Sequence, residues 1–212
     1  MVLISLNAEA ALTCANTGKT KVTIKTKTNK IKFNHKKRIS QLTSIPTDTR
    51  SPYGNRVQTS TLGLTRADIK MVGAYQTKIH SKAGGRSCIE MEAITIHIIL
   101  DPIIYIAKEH KKNTCRFKAI AAHEMNHVNI SKKLIEEYNG KLKKMIRSYD
   151  KLYDKKKVFK TRNKKQKIAM VQKDYQNFIS LIARNMNKEL SKRNAAIDTA
   201  REYKRVNDMC PN

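Results

Sequence analysis

The apolar residues of this chain change their spacing once, and this change limits how the chain can fold. Up to residue 106 they tend to alternate with polar residues, as in "ITIHIIL" (Ile94–Leu100), which is typical of β-strands. After Asn113-Thr114, which fits a helix N-cap, they recur every three or four residues, as they do in amphipathic helices. Strands that precede helices in this way predict one α+β domain.

The strand-rich part, 20–106, contains two hairpin signals. Residues 20–36 ("TKVTIKTKTNKIKFNHK") are predicted to form a half-exposed hairpin that turns at Thr28-Asn29. Ala83-Gly84-Gly85 indicates a second hairpin between two runs of alternating character. The segment Ser44–Leu64 is rich in Pro, Gly, Ser and Thr, and it is predicted to be an irregular surface loop.

The helical part, 113–205, is predicted to contain three segments. The first begins after Thr114 and ends at Asn139-Gly140, and the second continues to Leu152. The third carries an apolar stripe from Ile168 to Leu190, so the last two segments are expected to pair in antiparallel fashion. We therefore expect a single domain over residues 14–212, with residues 1–13 as a separate terminus.

The formal net charge of +27 suits a polyanionic partner, either nucleic acid or an anionic cell envelope. It also fits a solvated lysine-rich surface without a ligand, because arginine, the better phosphate ligand, is not the enriched residue. With no Trp and 6% aromatic residues, the chain lacks the stacking residues of single-strand binders, and we expect no specific nucleic-acid partner. No apolar run approaches the roughly 20 residues of a transmembrane segment.

Two features bear on where the protein works. Val2–Leu6 is a short apolar segment followed by Ala8-x-Ala10, which fits either the remnant of a signal peptide or a frayed first strand. Four widely spaced cysteines fit two disulfides in an exported protein, or four buried thiols in a cytoplasmic one. We expect a periplasmic or secreted protein, with the cytoplasm as the alternative. Three connectivities are open, one of which is Cys88–Cys115 with Cys14–Cys210.

One segment of the first predicted helix can carry chemistry. In "CRFKAIAAHEMNHVNI", His123 and His127 lie one helical turn apart on the same face, so both imidazoles can bind one zinc ion. Glu124 lies beside them, where it can act as a general base without being a ligand. Such a pattern also arises by chance. However, Glu124 is the one formally charged residue from Ala119 to Ile130, as expected of a metal-binding helix buried against a sheet.

This segment, which follows a buried strand, resembles the active-site helix of the zincin metallopeptidases. The order of "RSCIEMEAITIHI", the motif helix and an Asp-containing C-terminal segment is similar to that of a family of exported bacterial proteins presumed to be zinc proteases. The resemblance implies a zincin-like fold, one zinc ion and hydrolysis of a peptide or protein substrate in the cell envelope. It also implies that the strand Glu92–Ile98 pairs with the substrate as an edge strand, and that Tyr203 or Tyr138 stabilises the oxyanion.

The third zinc ligand is expected in the C-terminal segment "NAAIDTAREYKRVNDMC". A metzincin needs a His six residues after His127, and that position is Lys133. A gluzincin-like site needs a carboxylate from a following helix, for which we expect Glu202, with Asp198 as the second choice. The presumed family often has a His after this Asp, and this chain has no His beyond His127. A carboxylate ligand, another metal geometry and loss of activity therefore stay open.

The sequence thus predicts a zinc metallopeptidase in which His123 and His127 hold the metal and Glu124 activates water. Two alternatives remain. One is a basic protein that binds polyanions and whose histidines are incidental. The other is a catalytically inactive zincin scaffold. The oligomeric state cannot be predicted from the sequence.

Overall fold

The computed structural model describes residues 20–47, 53, 59–82, 84–153 and 158–210. They form a mixed α/β structure with a five-stranded sheet and four α-helices. The strands are β1 (Lys21–Thr28), β2 (Lys32–Asn34), β3 (Gly63–Lys82), β4 (Arg86–Ile106) and β5 (Val158–Lys160). The helices are α1 (Ile39–Thr43), α2 (Cys115–Tyr153), α3 (Lys164–Ile197) and α4 (Ala200–Asp208). The predicted separate terminus, 1–13, lies outside the described residues.

Strand β4 is the centre of the sheet. β3 pairs with it in antiparallel fashion along its whole length, from Gly63 opposite Ile106 to Lys82 opposite Arg86. Along the other side of β4 lie β5, which is antiparallel, and then β1 and β2, which are both parallel to β4. No described strand pairs with the outer side of β3, so β3 is an edge strand.

The turn between β3 and β4 confirms the hairpin predicted at residues 83–85. Gly84 and Gly85 have φ angles of +70° and +66°, which glycine adopts without a steric penalty. The hairpin predicted over residues 20–36 is wrong, because β1 and β2 run in the same direction along β4. Alternation of apolar residues identifies strands but not their partners, and here the partner is 72 residues away in the sequence, as between Thr28 and Leu100.

The strand expected at the edge of the sheet, Glu92–Ile98, is also placed differently. These residues belong to β4 and lie between β1 and β3. Ile94, Ile96 and Ile98 are fully buried, and a strand that buries such side chains in the main core is covered on both sides. The expectation that this segment is an edge strand is therefore wrong.

Helix α2 is continuous over 39 residues. The Thr114 hydroxyl accepts a hydrogen bond from the Phe117 backbone N–H at 3.3 Å, which confirms the predicted N-cap. The end predicted at Asn139-Gly140 is wrong. Glycine in a helix interior costs about 1 kcal/mol relative to alanine, but Leu142 and Ile146 beyond it are fully buried, and each contributes about 1.5–3 kcal/mol.

Helices α2 and α3 pack on one face of the sheet as the expected antiparallel pair. Near the end of α2, Asp150 accepts hydrogen bonds from the hydroxyls of Thr20 and Tyr175, which compensates its burial. The start of α2 is held by a disulfide at Cys115. None of the helices among the described residues combines the length and apolarity needed to cross a bilayer. The buried stripe of α3 consists of Val171, Tyr175, Ile179, Ile182, Met186 and Leu190.

A disulfide joins the start of α2 to the end of α4. Its half-cystines are Cys115 and Cys210, and Cys88 is disulfide-bonded as well. The connectivity that contains Cys88–Cys115, one of the three left open by the sequence, is therefore not adopted. Cys14 lies outside the described residues. The Arg116 guanidinium, next to this disulfide, donates to the backbone carbonyl oxygen of Asn207 at 3.1 Å, so α4 is fixed against the motif helix.

Candidate metal centre

The motif residues lie in the first turns of α2, where this helix passes close to the start of β3. His123, Glu124 and His127 are all buried. Gly63 allows the close approach, since a Cβ at this position would lie 2.5 Å from Cγ2 of Ile120 and 2.6 Å from Oε1 of Glu124. Any larger residue would push strand and helix apart, so Gly63 sets their separation.

His123, His127 and Asp198 bring three potential metal ligands together. Oδ1 of Asp198 lies 3.2 Å from Nε2 of His123 and 3.2 Å from Nε2 of His127. Asp198 follows the last residue of α3, and all three side chains are buried. The geometry therefore favours Asp198, the second choice from the sequence, as the third ligand.

The other ring nitrogen of each histidine has a partner outside this group. Oε1 of Glu202 lies 3.3 Å from Nδ1 of His123, and Oδ1 of Asn194 lies 3.1 Å from Nδ1 of His127. Glu202, the first choice from the sequence, is thus placed behind His123 rather than beside the two Nε2 atoms. Arg205 donates to both carboxylate oxygens of Glu202, at 2.6 and 2.8 Å, and lowers the pKa of Glu202 to about 2.

This donor set can hold a cation. A neutral imidazole whose Nδ1–H donates outward has a lone pair at Nε2, so in that state both Nε2 lone pairs face the Asp198 carboxylate. Protons can separate them: burial alone would lower the pKa of His123 and His127, but hydrogen bonds to Asp198 raise it above the ordinary value. Burial would likewise raise the pKa of Asp198, and the histidines hold it well below its usual range. Two imidazoles and a carboxylate also form a ligand set of zinc sites, so these residues fit zinc.

Glu124 lies beside the ligand group without joining it. Its Oε2 accepts a hydrogen bond from the Thr65 hydroxyl at 2.9 Å, and the same hydroxyl lies 2.9 Å from the Glu124 carbonyl oxygen. Burial raises the pKa of the Glu124 carboxyl, although His127 and His123 act in the opposite direction. A raised pKa suits a group that has to take up and release a proton.

Of the two tyrosines considered for the oxyanion, Tyr203 lies at the site. Its ring centroid is 5.7 Å from that of His123, and it lines the same cleft as Asp198. Burial and the nearby Asp198 carboxylate raise the pKa of Tyr203 well above its usual range, so the phenol keeps its proton at neutral pH. Tyr138 packs against the main core instead.

The group lines a cleft of about 1060 Å³. One wall is the start of the edge strand β3 with the residues before it, and the opposite wall comes from α3 and α4. The cleft thus places an unpaired strand edge beside the buried histidines.

Two residues of the site were not anticipated from the sequence. Asn194 precedes Asp198 by one helical turn, and that spacing is a signal that could have identified it. Thr65 lies 59 residues from Glu124, in another element, and no local pattern connects them.

Comparison of the chain with protein-family models, with curated proteins and with solved structures finds no match. The chemistry of the site therefore has to be inferred from its geometry.

Proposed function

We propose that this protein is a zinc-dependent metallopeptidase with a zincin-like fold. The observation that carries the proposal is the convergence of Nε2 of His123, Nε2 of His127 and Oδ1 of Asp198 beside the buried Glu124 carboxylate. Catalytic zinc sites use three protein ligands and keep a fourth position open for water or substrate.

The roles of the side chains follow from their positions. One bound zinc ion supplies Lewis-acid polarisation and makes water more acidic. Glu124 accepts a proton from the water whose oxygen attacks the carbonyl carbon of the peptide bond. As the C–N bond breaks, Glu124 returns this proton to the leaving amine.

The surrounding residues orient this group. Glu202 and Asn194 accept hydrogen bonds from the Nδ1 atoms of the motif histidines, which directs both Nε2 atoms to one point. Tyr203, which retains its proton, is the neutral donor available to the oxyanion that develops on the substrate carbonyl.

The edge strand β3 supports a polypeptide substrate. Residues 62–69 line the cleft, and the unpaired N–H and C=O groups of an edge strand can pair with an extended peptide. In this proposal β3, rather than Glu92–Ile98 in β4, is the edge strand that pairs with the substrate.

We place the protein in the periplasm or outside the cell, with the cytoplasm as the alternative. The supporting observation is the Cys115–Cys210 disulfide together with a disulfide-bonded Cys88, because disulfides persist in oxidising compartments. Contact of the lysine-rich surface with anionic envelope components remains a prediction.

Metal content and peptide hydrolysis test the proposed function. After supplementation we expect about one zinc per chain in the wild type and none in His123→Ala. The Glu124→Gln variant should keep zinc and lose hydrolysis. A wild-type protein without zinc contradicts the proposal, whereas zinc binding without hydrolysis of any peptide supports the inactive scaffold.

A basic polyanion-binding protein is the second candidate, favoured by the net charge of +27. It predicts binding of nucleic acid or anionic glycan that weakens steeply with salt. It also predicts that His123→Ala leaves this binding unchanged.

A further inference from the structure

The cleft differs in composition from the rest of the chain. Lys and Arg make up 44 of the 212 residues, about one in five. Among the described residues that line the cleft there is no Lys and a single Arg, Arg66. Its guanidinium Nη2 lies 3.5 Å from Oδ2 of Asp68, so the one cation of the cleft already has an anionic partner.

The acidic residues of the described lining also have hydrogen-bond or ion-pair partners. Asp198 contacts both motif histidines, Glu124 accepts a hydrogen bond from Thr65, and Asp68 faces Arg66. A zinc ion would balance the charges of Asp198 and Glu124. Over the lining that the structure describes, the cleft then offers no uncompensated charge of either sign.

Neutral hydrogen-bonding side chains take the place of the charges. Hydroxyl groups precede and begin the edge strand, and amides line the helical wall. Such groups can donate to and accept from a peptide backbone and from uncharged polar side chains. The residues concerned include Thr59, Ser60, Thr61 and Asn187.

We propose that the cleft selects extended peptide segments whose side chains next to the cleaved bond are uncharged; this inference rests on the proposed function. A charged side chain that leaves water needs a partner of opposite charge, and the described lining supplies no unpaired one. Lysine is absent from the described lining, and charges at physiological ionic strength are screened beyond about 8 Å. The lysines elsewhere influence which molecules approach the protein, whereas the lining decides which side chains fit.

Binding to the zinc-loaded wild type tests the inference without cleavage and without loss of the Glu124 charge, if the central amide of each peptide is replaced by an uncharged ketomethylene group that cannot be hydrolysed. Three decapeptides are compared by titration calorimetry at physiological salt. One contains only Ala, Ser, Thr and Gln, and the other two carry Glu or Lys at the central positions. We expect both charged peptides to bind at least about tenfold more weakly, which corresponds to about 1.4 kcal/mol.

A change of one charge in the lining adds a second measurement. Asn187 is exposed on α3 and lines the cleft, whereas Asn185 is exposed on the same helix and is not part of the lining. Asn187→Lys is expected to tighten binding of the Glu peptide about tenfold. Asn185→Lys adds the same charge to the protein and is expected to leave that binding unchanged.

Three results overturn the inference. They are a Glu peptide that binds the zinc-loaded wild type as tightly as the uncharged one, a Lys peptide that does so, and equal effects of the two lysine substitutions. Equal effects would mean that overall charge rather than the lining governs binding. An active wild-type enzyme without charge discrimination removes this inference alone. If the peptides bind in the expected order but cleavable peptides of the same sequences are never hydrolysed, the proposed function alone is removed.

Discussion

The Thr65 hydroxyl donates a hydrogen bond of 2.9 Å to the Glu124 carboxylate. This hydrogen bond joins the edge strand β3 to the proposed general base. Gly63, two residues earlier, leaves the space for this contact. The strand proposed to pair with the substrate is therefore the strand that holds the base. A peptide paired with β3 would therefore lie on the same strand that positions the Glu124 carboxylate.

Removal of the Thr65 hydroxyl is expected to weaken catalysis without loss of zinc. Thr65→Val keeps the shape of the side chain, but a hydrogen bond to a charged group is worth about 1.5–3 kcal/mol. We expect kcat to fall at least about tenfold, with KM and zinc content unchanged. Thr65→Ser should retain most of the activity.

Thr77→Val is the matched control, since Thr77 lies on the same strand opposite Met91 and away from the cleft. Steady-state kinetics and metal content of the three variants decide the matter. An unchanged kcat in Thr65→Val contradicts a positioning role for Thr65.

A Cβ at Gly63 should destabilise the fold. The added atom would lie 2.5 Å from Ile120 Cγ2, and overpacking of this kind costs about 1–3 kcal/mol. Urea unfolding of Gly63→Ala measures the loss in the free energy of unfolding. Gly140→Ala is the control: nothing lies within 4 Å of its added Cβ, so this variant should gain about 0.5–1 kcal/mol. Equal stability of the two variants would contradict the close packing at Gly63.

The two carboxylates near His123 should differ in their effect on zinc affinity. Asp198→Asn removes a proposed ligand, and we expect the zinc dissociation constant to rise more than about 100-fold. Glu202→Gln removes the negative charge of the partner of Nδ1 of His123, and disruption of such an outer contact costs about 10–100-fold in affinity. Competition with a chromophoric chelator measures both constants. A larger loss in Glu202→Gln would restore Glu202 as the third ligand.

The Cys115–Cys210 disulfide should support both stability and zinc binding. Its half-cystines are 95 residues apart in the sequence, and removal of such a crosslink typically costs about 2–5 kcal/mol. The double variant Cys115→Ser/Cys210→Ser should unfold at lower urea concentration. Its zinc affinity should also fall, because α4 carries Glu202. A destabilised variant with wild-type zinc affinity would show that α4 stays in place without the crosslink.

Local patterns in the sequence predict the long strands and helices and the burial of the motif residues. The change of apolar spacing identifies the long strands before residue 107 and the long helices after it, although the short α1 and β5 do not follow it. Thr114 caps α2 as expected. The charge-poor sequence of the motif helix predicts that this face is buried. In the structure His123, Glu124 and His127 are all buried. These are properties of residues within a few turns of one another.

Long-range features cannot be predicted in this way. The partner of β1 is chosen by the apolar surface of β4, and the continuation of α2 through Gly140 depends on core packing beyond it. The choice between Asp198 and Glu202 depends on where α3 ends. Thr199 caps α4 by accepting a hydrogen bond from the Glu202 N–H, so the Thr-x-x-Glu pattern marks a helix start and leaves Asp198 in the junction.

The parts of the site are separated along the chain, with Thr65 in β3, the motif in α2 and Asp198 after α3. During synthesis from the N-terminus, the sheet and the motif helix are made well before the third ligand. A nascent chain that ends before Asp198 holds at most two of the three proposed ligands. The proposed donor set is therefore incomplete until the chain has been synthesised through α3 to Asp198.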